Sequence, residues 1–170
     1  SKGNVIYPED LIGRYGLDAT KYYLLREMSF GQDSVFTPEV FVERYNFDLC
    51  NDLGNLLNRT IGMINKYFDG VISSKEIVKT EYDSVLEEFT QDKIKEVEKN
   101  MDSYHISNAI AEIWSIIART NKYIDETEPW KLSKEEESNL KLKSVMYHLV
   151  ENLRKIAILI RPFMQDTSNR

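Results

Sequence analysis

The chain has 170 residues, 42% hydrophobic and 29% charged, enough for one ordinary domain with a small appendage and too evenly mixed for a disordered or membrane chain. Lys plus Arg number 22 against 28 for Asp plus Glu, a net charge of −6; affinity for nucleic acid without sequence preference comes from phosphate neutralisation, so that class is disfavoured, while recognition of a few exposed bases is not. One cysteine, Cys50, excludes an internal disulfide, and with only His105 and His148 beside it there is no four-ligand zinc set.

No run approaches the roughly 18 uninterrupted apolar residues of a membrane span, so no membrane partner is expected, while the single cysteine and two histidines lead to the expectation of no bound metal and a cytoplasmic location. Ser1-Lys2-Gly3-Asn4 has neither a Met nor a signal peptide's apolar core, and reads as the start of a piece cut from something longer.

Up to about Phe36 the pattern is mixed. Pro8-Glu9-Asp10-Leu11 fits a first helical turn, and Asp18 fits the cap of a helix carrying Tyr22, Tyr23, Leu24, Leu25 and Met28. Gly31-Gln32-Asp33-Ser34 reads as a turn, after which Val35-Phe36 is predicted to pair as a short strand with Asn4-Val5-Ile6. Thr37-Pro38-Glu39 then opens a long helix, with a threonine cap and proline at the first helical position, that runs to Phe68 and stops at Asp69-Gly70. After a loop through Ser73-Ser74, a helix over about Tyr82–Met101 carries Leu86, Phe89, Ile94 and Val97 at helical spacing. A further helix sets Ile106, Ile110, Ile113, Ile117 and Ile124 on one stripe, with Trp114 read as core, until Glu128-Pro129-Trp130 interrupts it. The last helix, about Ser138–Arg161, repeats the pattern with Leu142, Val145, Leu149, Leu153, Ile156 and Ile160, and Pro162 ends it. The fold class is therefore an all-α helix bundle preceded by a small mixed α+β unit.

The long helix sorts into two faces at about 100° per residue. Leu49, Leu53, Leu56, Leu57, Ile64, Tyr67 and Phe68 form the expected core side. Opposite lie Asn51, Asn55, Asn58, Gly62 and Asn65, with Arg59 one turn after Asn55. Asparagine is a poorer helix former than Lys, Glu or Gln because its amide competes for backbone hydrogen bonds, so a row of them sacrifices helix stability for some other end. Two ends fit. The amides and the planar guanidinium suit base edges and phosphate, or the amides tie the helix to the preceding unit or to the loop in the 70s. Trp130 has the same two readings, as a packed corner residue or as a platform for an unstacked base.

Several strings, taken in order, resemble methionyl-tRNA synthetases. Ser1-Lys2-Gly3-Asn4-Val5-Ile6 is similar to the stretch just after the KMSKS signature of class I aminoacyl-tRNA synthetases, with Ser1 as the signature's last serine. Asp18-Ala19-Thr20-Lys21-Tyr22-Tyr23-Leu24-Leu25-Arg26, Asn51-Asp52-Leu53-Gly54-Asn55-Leu56-Leu57-Asn58-Arg59, Ile64 to Gly70, Asn121 to Trp130 and Ile160-Arg161-Pro162-Phe163-Met164 come next, in the family's order. The resemblance implies a stem-contact unit over residues 1–36 and a helical anticodon-binding domain of the class I synthetase type over 37–170. It implies that Asn55, Arg59 and Trp130 read the CAU anticodon of methionine tRNAs, with Asn51, Asn58 and Asn65 in support. Partners would be the tRNA(Met) anticodon loop and a catalytic domain in the same polypeptide. ATP and Mg would belong to that parent enzyme, a methionine–tRNA ligase, and the piece itself would hold no cofactor, metal or catalytic residue. Two other readings are the anticodon domain of a sister class I synthetase and a helical protein-interaction module, the latter expected to show a contiguous exposed apolar patch.

Overall fold

The computed structural model describes residues 6–28, 36–75 and 77–169. Two short helices come first, α1 (Pro8–Tyr15) and α2 (Leu17–Glu27). They are split at Gly16, whose φ of 86° is a left-handed setting that glycine reaches without steric cost. Asp18 lies inside the first turn of α2 and does not cap it. Its Oδ2 instead accepts the Thr167 N–H at 2.7 Å and the Thr167 hydroxyl at 2.8 Å, which fastens the C-terminal helix to α2. The predicted strand pair falls mostly on residues 4, 5 and 35, outside the described set; Ile6 and Phe36 are not in strands, and among the described residues there is no strand. The described part of the small mixed unit is helical.

Thr37 caps α3 (Pro38–Arg44), its side chain accepting the Val40 N–H at 3.4 Å. The predicted long helix is continuous but not uniform. After Arg44 it widens into a π-helical segment, Tyr45–Gly54, and narrows again into α4 (Asn55–Phe68). The stop at Asp69-Gly70 is built as expected, with both residues at positive φ, 49° and 80°. Three 22-residue helices come after it: α5 (Glu81–Asp102), α6 (Ile106–Thr127) and α8 (Asn139–Ile160). Between the last two lie the one-turn α7 (Pro129–Leu132) and a short 3-10 turn, and α9 (Gln165–Ser168) ends the fold. Glu128 adopts φ 43°, a left-handed residue immediately before Pro129 that takes the chain out of α6.

Helix α6 is the centre of the molecule. Ala109, Ile110, Ile113, Ile116, Ile117, Tyr123 and Ile124 are fully buried, and the helix touches α2, the π segment, α4, α5 and α8. Truncating one such isoleucine to alanine should cost about 2–5 kcal/mol, the range for large-to-small changes in a packed core. Leu57, expected in the core, is 44% exposed. Only Leu56, Thr60 and Ile64 of α4 are buried, so the buried arc is narrower than the apolar one and Leu57 falls beyond its edge. Trp114 is buried as expected, its ring centroid 4.4 Å from that of Tyr22.

Two polar clusters lie inside the bundle. Asp83 has no solvent exposure and accepts from the Tyr123 hydroxyl, the Ser144 hydroxyl (2.7 Å) and the Thr80 N–H (2.7 Å). The Thr80 bond is half of a capping box that starts α5. Asn152 donates to Thr90 at 3.1 Å and Thr120 at 3.0 Å, joining α8 to α5 and α6. The buried donors and acceptors of each cluster thus pair one another across three helices.

Candidate nucleic-acid interface

The asparagine row of the long helix faces solvent. Asn51, Asn55, Asn58, Gly62 and Asn65 are all exposed, and among the described residues no side-chain amide of this row hydrogen-bonds to protein. No side-chain hydrogen bond among the described residues ties the row to α1 or α2. Asn65 lies near the 70s loop, where its Oδ1 would stand 3.2 Å from a Cβ placed on Gly70, but no hydrogen bond joins them.

Arg59 leaves this row sideways. Its Nη2 donates to Asp125 Oδ1 on α6 at 2.7 Å, with the arginine side chain 29% and the aspartate 64% exposed. One donor of the guanidinium fork is thereby fixed while the others stay available. Asn55 precedes Arg59 by one turn on the same helix. Trp130 comes five residues after Asp125, at the start of α7, and is 39% exposed. It is neither the packed corner residue of one reading nor fully presented, but part-exposed at the start of a one-turn helix. The structure thus joins α4 to the end of α6 through Arg59 and Asp125, and sets Trp130 just past that end.

Behind this surface α6 also grips the π segment. Asn121 Nδ2 donates to the Asp52 carbonyl at 3.2 Å, and Trp114 Nε1 donates to the Asp48 carbonyl at 3.2 Å. The Asp48 carboxylate accepts from the Tyr22 hydroxyl at 2.6 Å and lies 3.5 Å from Arg44 Nη1. Burial, then this carboxylate, push the Tyr22 hydroxyl far above its usual range, so it stays a donor at any ordinary pH. Burial and the nearby Asp48 charge also raise the Asp52 carboxyl. Sequence reasoning does not single out Asn121 and Asp125, whose residue types are ordinary on the polar side of a helix.

Residues 1–61 match the family described as tRNA synthetases class I (M). Residues 75–170, more than half of the chain, match the family described as the anticodon binding domain of methionyl tRNA ligase, and the chain belongs to that family. It is 58% identical over its whole length to a methionine–tRNA ligase of Lactococcus lactis, covering 26% of that protein. It is 59% identical over 98% of its length to one from Listeria monocytogenes, covering 25%. The chain thus spans about a quarter of these relatives. The fold superposes with a TM-score of 0.92 and 32% identity on Mycobacterium tuberculosis methionyl-tRNA synthetase in complex with methionyl-adenylate, covering 98% of this chain and 33% of that one. The free form of the same enzyme gives 0.91 and 31%, covering 97% and 34%.

Proposed function

We propose that this chain is the anticodon-reading end of a methionine–tRNA ligase, an aminoacyl-tRNA synthetase. It recognises the CAU anticodon so that the catalytic domain of the same polypeptide, using ATP and Mg, attaches methionine to the tRNA in the cytoplasm. Within it residues 1–36 join that catalytic domain and contact the tRNA stem, and 37–170 hold the anticodon. The observation that carries the reading is the row of exposed amides on α4 and the turn before it, without side-chain partners among the described residues, flanked by a guanidinium anchored at one donor and by a part-exposed tryptophan.

In this mechanism the loop bases unstack and one lies against Trp130, while the edge of the first anticodon base is met by Asn55 and Arg59. Asn51, Asn58 and Asn65 extend the same polar row toward neighbouring nucleotides. The arginine needs no large rearrangement, since Asp125 already holds it against α6, and preorganisation of this kind lowers the entropic cost of binding.

The test is Trp130→Ala against a CAU anticodon hairpin. Base–aromatic stacking is worth about 1–3 kcal/mol by alanine substitution, so affinity should fall by about one to two powers of ten with little change in melting temperature. Unchanged affinity would remove the stacking role. Comparing the CAU hairpin with one carrying a different first base tests readout by Asn55 and Arg59, and equal binding would count against it.

A further inference from the structure

The segment Tyr45–Gly54 contributes only the supporting Asn51 to the proposed mechanism, yet it lies immediately before Asn55. A π-helix closes i→i+5 bonds, so each of its turns holds about one residue more than an α turn. Every extra residue rotates the helix beyond it by about 100° relative to an unbroken α-helix. The rotational setting of Asn55 and Arg59 about the α4 axis is therefore decided in this segment. Such a stretch needs outside support, because π geometry is rare and mostly confined to single turns.

That support is visible and comes chiefly from one helix. Trp114 and Asn121, two turns apart on α6, donate side-chain hydrogen bonds to the carbonyls of Asp48 and Asp52, and Asp125, one turn further, holds Arg59. The three α6 residues thus form a ladder whose rungs land on the widened segment, on its end and on the first turns of α4. Trp114 is 8% exposed and packs on Tyr22, which itself holds the Asp48 carboxylate.

We propose that Trp114 is a positioning residue for anticodon recognition: by holding the Asp48 carbonyl it keeps Tyr45–Gly54 in its widened form, which aims Asn55 and Arg59 at the RNA. The inference rests on the assignment of those two residues to base reading.

Trp114→Phe keeps an aromatic ring in the core and removes the indole N–H together with part of the ring volume. Asn121→Leu removes the second donor at similar volume and serves as the independent variant should the first fail to fold. Affinities for the CAU hairpin and for a hairpin with a changed first base are measured on both variants, with folding verified by circular dichroism. Loss of one hydrogen bond's worth of positioning should lower CAU affinity by about three- to ten-fold, while affinity for the changed hairpin, which lacks the specific contacts, stays put. General destabilisation would reduce both affinities alike, so the ratio is the readout. An unchanged ratio in the folded variants, with the unmodified chain still discriminating, overturns the positioning role alone. Equal affinities in the unmodified chain would overturn the base-reading assignment, and this inference with it.

Discussion

Asp83 shows how a residue with no part in binding can govern the whole bundle. Its carboxylate joins α5 to α6 and α8 through three donors, and His148 Nε2 lies 3.0 Å from Glu87 one turn along α5. Burial alone would raise the Asp83 pKa, but the bonds from Tyr123, the Thr80 backbone and Ser144 outweigh it and hold the carboxyl below its ordinary value. A depressed pKa means that the folded state binds the proton less readily than the unfolded chain does. The contribution is therefore fully present above about pH 4, the unfolded value, and is lost as pH falls further through the folded value. Asp83→Ala strands two buried donors and one half-buried one and should cost about 3–5 kcal/mol, the range for removing one partner of a buried charged cluster. Urea unfolding at pH 7 would show this, and a difference that shrinks as the pH is lowered below 4 would assign it to the carboxylate. A constant difference across that range would point to packing instead.

The elements differ in how far the sequence foretells them. Helices α5, α6 and α8 lie within about two residues of their predicted ends, because six turns of apolar residues at 3.6 spacing leave no rival reading. The widened segment is not legible: Leu49 and Leu53 still pack against the core, as an α-helical reading expects, and no residue type announces i→i+5 bonding. The expected cap at Asp18 fails for a related reason. A cap and a tertiary acceptor are the same side chain near a helix start, and only the position of Gly16 decides between them. The asparagine row, by contrast, stands out because it is costly to a helix, whereas Asp125 does not, since exposed acids on helices are common. The corrected role of Asp18 has a consequence at this scale. A four-residue helix cannot hold itself in water, so α9 depends on what it docks against. Asp18→Ala should release it, seen as loss of amide protection at Thr167 and Ser168, with only a small change in melting temperature. Protection that survives the change would place the anchor in Phe163 and Met164, which are buried just before it.

At the scale of the whole molecule, charge and the proposed function look opposed, since a protein with a net charge of −6 would have to hold a polyanion. The proposed site would resolve the conflict by recruiting few cations. Arg59 is the guanidinium on the amide row; Lys122 lies 3.6 Å from Glu126, and Lys131 is 2.7 Å from Glu128. Both lysines are on exposed turns where water screens them. Binding through bases and amides displaces few counterions, and each neutralised phosphate of a single strand contributes a slope of about −0.7 in log K against log salt. With about two such contacts the slope is roughly −1.4, and a four-fold rise in salt should weaken a CAU hairpin by on the order of seven-fold. A binder resting on a basic surface, with six to ten phosphate contacts, would lose about three to five powers of ten over a comparable range. Titrating hairpin affinity between 50 and 200 mM salt separates the two regimes. A steep slope would mean that phosphate contacts outside the amide row dominate, and the weight given to Asn55 and Trp130 would have to fall. A shallow slope with intact preference for CAU is what an acidic bundle reading bases through a few fixed side chains should give.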